Sequence, residues 1–170
     1  MTLFDEDESD VAVVGVGNAI MGDDGVGGRV IRALQDRADE LTDGVRLSDA
    51  GTTGMLALEA MSGCERAIVV DAISADGEPG SIYRYELTDG SFDGQAPPIS
   101  MHDVSFCEGL SAGRNAYELP AEILVIGVEP ARIELSVELS ETVAERVPEI
   151  VDLILRELDR EPVDESVVRA

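Results

Sequence analysis

Short, almost wholly apolar runs alternate with longer amphipathic stretches along this chain. Residues 11–16 form a continuous run of small apolar side chains, the pattern of a strand buried on both faces, and the run leads into Gly15-Val16-Gly17-Asn18. Val26, Val30, Ile31 and Leu34 then recur at three- and four-residue spacing. A helix is therefore predicted to begin in or just after Asp23-Asp24 and to fade near Asp39. Residues 45–47 read as a second short strand, followed by the loop 49–54 and a helix that carries Met55, Leu56, Leu58 and Met61. Residues 67–70 make a third buried strand, ending at Asp71. The alternation Ile82-Tyr83-Arg84-Tyr85 within residues 80–87 predicts an edge strand, and the Gly-, Ser- and Asp-rich stretch after it, with Pro97-Pro98, predicts a long loop. A helix over about 103–113, a strong strand at 123–128 and a helix over about 140–158 complete the pattern. Strands and helices in this rhythm predict an α/β fold: a three-layer αβα sandwich whose mostly parallel sheet has helices on both faces. No internal repeat is visible.

With 170 residues, 44% of them hydrophobic, the chain has material for one core, so a single domain over 1–170 is expected, with an acidic leader (1–10) and a frayed tail (160–170). Twelve basic residues face 36 acidic ones, for a formal net charge of −24, and every basic residue is arginine. Such a surface repels nucleic acid and anionic membranes and favours cations or a basic protein segment. The bulk of the charge fits a protein working in molar salt, where the Debye length falls to roughly 3 Å and self-repulsion is screened. No apolar run approaches the length of a spanning helix, and the leader has acid where a secretory signal needs base, so a cytoplasmic location is expected. Cys64 and Cys107 lack metal or redox spacing and are read as free thiols.

In open α/β sheets, ligands bind beyond the carboxyl ends of the strands, so the loop after the first strand is the first place to look. It is not a nucleotide loop. A dinucleotide fingerprint from Gly15 requires glycine where Ile20 stands, and a phosphate loop from Gly17 requires lysine where Asp23 stands. Asp23 and Asp24 at a helix start repel phosphate; they suit either ordinary helix capping or a cation. Asp71 ends a strand at the same sheet edge and reads as a loop cap or as a partner for Asp24. His102, the single histidine, is either a structural residue or a ligand. Its place before a predicted helix favours the neutral ring that a metal needs. Asp24, Asp71 and His102 would offer two hard oxygens and an imidazole, a set compatible with Ni(II), Zn(II) or Fe(II) that leaves coordination positions open. Gly51, Thr52, Thr53 and Gly54 form either a plain turn or a backbone surface for an extended peptide, and Asp49 just before them is placed to act on a water. No nucleophile elbow is present, and neither cysteine has a neighbouring histidine in the sequence to activate it.

These residues resemble a known family. Val13-Val14-Gly15-Val16-Gly17-Asn18 with Asp23-Asp24-Gly25-Val26-Gly27 looks like the N-terminal signature of the hydrogenase maturation endopeptidases. Three further segments follow in the family's order: Asp49-Ala50-Gly51-Thr52-Thr53-Gly54, Ala67-Ile68-Val69-Val70-Asp71-Ala72 and Ser100-Met101-His102. The resemblance implies a five-stranded sheet between helices, metal contacts at Asp24, Asp71 and His102, and removal of the C-terminal extension of a nickel-iron hydrogenase large-subunit precursor. It also implies that nickel arrives with the substrate. Asp24 is one methylene shorter than the Glu that some relatives carry there. Cleavage would follow either from metal polarising the scissile carbonyl or activating water, or from Asp49 or Asp71 as general base. Two other functions are compatible with the same residues: a non-catalytic nickel-binding chaperone, and a metal-dependent hydrolase of small molecules.

Overall fold

The computed structural model describes residues 10–88, 91–92 and 117–160. The acidic leader, His102, Cys107, the helix expected over 103–113 and the C-terminal tail lie outside the described residues. Strands β1 (Val11–Gly15), β2 (Val45–Asp49), β3 (Arg66–Ala72), β4 (Ile82–Thr88), β5 (Ser91–Phe92) and β6 (Glu122–Val128) form one sheet in the order β2-β1-β3-β6-β4-β5. β2, β1, β3 and β6 run parallel, and β4 joins β6 antiparallel. Five strands of five to seven residues make up the sheet that the motifs imply. The two-residue β5 pairs only with Leu87 and Thr88, so the rest of β4 is the edge that its alternation predicted.

Two cores follow from the alternation of side chains along the strands. One face carries Val13, Ile68, Val70 and Ile126 under α1 (Val26–Asp36) and the C-terminal helix, with Val30, Ile31, Leu34, Ile150 and Ile154 closing over them. The other face carries Val14, Val69 and Val125 against Leu58 and Met61 of α2 (Gly54–Met61). Burying each such aliphatic side chain contributes roughly 1.5–3 kcal/mol.

Two local details position the rest. At Gly27, an added Cβ would lie 2.5 Å from the Val16 carbonyl oxygen and 2.6 Å from that of Val70, so glycine lets the first turn of α1 sit directly on the ends of β1 and β3. The helix expected over 140–158 is two: α3 (Glu141–Ala144) and α4 (Val147–Asp159). Pro148, in the first turn of α4, has no N–H to donate to the Ala144 carbonyl, and the backbone breaks there.

Candidate active site at the carboxyl edge of the sheet

The strand register fixes what meets at the carboxyl edge. Gly15 of β1 stands opposite Asp49 of β2 and Val70 of β3. Beyond it the backbones stay tied, with Val16 N–H donating to the Val70 carbonyl at 2.9 Å and Gly17 N–H to the Gly51 carbonyl at 2.8 Å. Asp49, Asp71 and the loop after β1 therefore share one edge, as the sequence pattern required. A short 3₁₀ turn, Gly22–Gly25, sits between β1 and α1 and packs against β3. It holds Asp24, almost wholly buried, with its Oδ2 accepting from the Asn18 N–H at 2.7 Å.

Alternation separates the two candidate general bases. Val45 and Leu47 of β2 face the α1 core, so Asp49 points to that side; Ala67 and Val69 of β3 face the α2 core, so half-buried Asp71 points to the other. Asp49 is exposed and its Oδ1 accepts from the Gly51 N–H at 3.0 Å. Its Oδ2 leans on the first turn of α1, 2.8 Å from where a Cβ at Gly28 would stand. Thr52 and Thr53 are exposed, Gly51 turns the chain at φ +59°, and Gly54 opens α2. The loop expected to offer its backbone thus lies open at this edge.

The N-cap positions of the 3₁₀ turn and of α1 are Met21 and Gly25, so neither Asp23 nor Asp24 stands at the N-cap position, which corrects the reading of ordinary helix capping there. Asp23, fully buried, reaches across to the loop after β6. Its carboxylate accepts from the N–H groups of Ala131 (2.9 Å), Arg132 (2.8 Å) and Ser140 (2.7 Å) and from the Ser140 hydroxyl (2.9 Å). That hydroxyl in turn caps α3 by accepting from the Val143 N–H. A bridge between Met21 and Ser136 completes the clasp. Of the two adjacent aspartates, then, Asp23 braces the loops and Asp24 is the one at the edge.

A hydrogenase maturation protease family model matches residues 28–157. The chain is 33% identical to the hydrogenase 2 maturation protease of Escherichia coli over 94% of its length and 96% of that protein's. The chain belongs to the hydrogenase maturation protease family. It is accordingly a protease. Its fold superposes on the hydrogenase maturating endopeptidase HybD from E. coli with TM-score 0.72 at 28% identity, covering 92% of this chain and 98% of that one. A hydrogenase 2 maturation peptidase from a Thaumarchaeota archaeon matches with TM-score 0.66 at 36% identity, covering 89% of this chain and 99% of that one.

Within this maturation protease, no group of three or more His, Cys, Asp or Glu side chains among the described residues is arranged to hold a metal, and His102 lies outside them. No helix among the described residues is long and apolar enough to cross a membrane. Cys64 is a buried free thiol whose sulfur accepts from the Arg46 guanidinium at 3.1 Å. Burial pushes this thiol up, and the nearby Arg46 charge offsets only part of that. It lies beside the amino end of β3, away from the edge that holds the aspartates. The sequence reading missed two features of that edge. One is the Asp23 clasp; the other is the set of exposed large aliphatic side chains among the described residues, Ile20, Met55, Leu56, Leu135 and Val137, all of which lie in the loops and the helix start that follow β1, β2 and β6.

Proposed function

We propose that this protein removes the C-terminal extension of a nickel-loaded nickel-iron hydrogenase large-subunit precursor, with the nickel belonging to the substrate. Membership of the maturation protease family carries this reading. The chemistry of the edge supports it. Asp24 and Asp71 supply carboxylate oxygens at the carboxyl ends of β1 and β3, and His102 is assigned as the imidazole that completes an intentionally open set. Such a set recognises an ion whose remaining positions are filled from the precursor. Gly51, Thr52, Thr53 and Gly54 then hold the extended peptide by its backbone, and Asp49 or Asp71 takes the proton of the attacking water. The reaction takes place in the cytoplasm.

The test is incubation of the purified protein with precursor carrying nickel and with precursor lacking it, reading the precursor's C-terminus by mass spectrometry. Shortening of the loaded form alone is expected, because only the bridging ion aligns the scissile bond. His102→Ala should keep the melting transition and lose cleavage. Binding without shortening would replace this reading with a chaperone, and equal cleavage of both precursors would remove nickel from it.

A further inference from the structure

In a chain with a net charge of −24, a cation without a carboxylate partner needs a reason. Arg29 and Arg32 are such cations. They project from one face of α1, one turn apart, and both are exposed. Neither makes an ion pair among the described residues, whereas Arg37 on the next turn pairs with Glu40 and Asp152. Among the described residues the Arg29 guanidinium donates to the Val137 carbonyl alone, at 3.3 Å, and so is held over the loop after β6 with no carboxylate against it there.

Between α1 and that loop runs a groove of about 390 Å³. Arg29, Arg32, Ile20, Val137, Gly28 and Asp49 are among the residues that line it. Ile20 is 52% exposed and Val137 70% exposed, in a protein whose charged side chains are mostly acidic. The groove is thus amphipathic. It is apolar enough to hold aliphatic side chains, and it is cationic where the rest of the surface repels anions.

We propose that this groove binds an extended segment of the substrate polypeptide that carries both aliphatic side chains and carboxylates, with Arg29 and Arg32 pairing the carboxylates and Ile20 and Val137 receiving the aliphatic groups. The proposal rests on the peptidase reading above and adds to it the residues that select the peptide. An occupant of the opposite character is excluded by charge: a basic segment would be drawn to almost any other part of this surface and repelled here. The groove also reaches Asp49, so a peptide seated in it passes one of the two candidate general bases.

The decisive variant is the double charge reversal Arg29→Glu/Arg32→Glu, both positions being exposed and without ion pairs to break. With nickel-loaded precursor, KM should rise about tenfold or more while kcat stays within about twofold, because the groups bind the peptide without touching the reacting atoms. Replacing the precursor's carboxylates beyond the scissile bond by lysine should restore KM in the reversed protein and raise it in the parent. An unchanged KM, or a loss that lysine precursors do not rescue, overturns the proposal. If the parent protein cleaves no precursor at all, the peptidase reading fails and the groove is judged by binding alone. The probe is then a fluorescein-labelled peptide alternating leucine and glutamate, compared by anisotropy with its leucine-glutamine counterpart. Preference of the parent for the glutamate peptide, lost in Arg29→Glu/Arg32→Glu, upholds the groove; equal binding of both peptides overturns it.

Discussion

Asp23 and Ser140 are bound to each other twice, through the Ser140 N–H at 2.7 Å and its hydroxyl at 2.9 Å, across 117 positions of sequence. With the Ala131 and Arg132 N–H groups, four donors converge on the buried Asp23 carboxylate, which is itself shut off from water. Asp23→Asn replaces one acceptor oxygen by an amide that faces donors. It should cost about 3 kcal/mol or more in urea unfolding. Ser140→Ala, which leaves the carboxylate its three backbone donors and removes the cap on α3, should cost about 1 kcal/mol. Equal and small losses for both would mean that the clasp does not hold the loops.

Asp49 offers a substitution that leaves the scaffold intact. It is exposed, and its Oδ1 accepts from the Gly51 N–H, a bond that an asparagine oxygen also accepts. Asp49→Asn should therefore change stability by less than about 0.5 kcal/mol. If Asp49 is the general base, kcat on nickel-loaded precursor should fall about a hundredfold or more. A retained kcat would move that role to Asp71, on the other face of the sheet.

The carboxyl edge was legible because parallel strands in register all end there, and the small apolar runs at residues 11–16 and 67–70 mark those strands without ambiguity. That Asp49 and Asp71 diverge was also available, since Leu47 lies two positions from Asp49 and Val69 two from Asp71, each on its aspartate's own face. The separation emerges only when the two parities are compared through the register of β1. Asp23 was not legible at all. Beside Asp24 it shows the same chemistry and the same apparent capping position, and its partners lie more than a hundred residues away. The split at Pro148 was foreseeable from the missing N–H, but the apolar periodicity on either side of it conceals the break.

Burial raises the Cys64 thiol above its ordinary value of 9.0, so the folded protein holds this proton more tightly than the unfolded chain does. The sign follows. Below the ordinary value both states are protonated and the contribution is complete; as pH rises through 9.0 toward the folded value, only the unfolded chain ionises and stability is lost. With Cys107→Ser as background, the stability gap between protein with Cys64 and its Cys64→Ala variant should narrow on going from about pH 8 to about pH 10. Cys64 should also resist alkylation at neutral pH. A gap that stays constant across this range, together with rapid alkylation, would contradict the burial account.

Salt dependence follows from arithmetic on charge. With 12 basic and 36 acidic residues, negative charge exceeds positive by 24, however the side chains arrange themselves. A domain of this size has a radius of gyration near 15 Å. At 0.01 M salt the Debye length of about 30 Å exceeds that radius, so every unpaired carboxylate repels every other; at 1 M, about 3 Å, only contacting pairs still interact. Unfolding spreads the same charges over a larger volume, so low salt favours the unfolded chain. The melting temperature should therefore climb steadily with KCl, by several degrees at least, since each kcal/mol is worth roughly 2–4 °C in a chain of this length. Exposed pairs such as Arg146–Glu149 weaken over the same range, but each is worth only about 0.2–1 kcal/mol and cannot offset the gain. Sucrose at matched osmolality controls for solvent exclusion, which strengthens burial without screening charge. A melting temperature that is flat in KCl, or that rises equally in sucrose, would show that self-repulsion does not govern this fold.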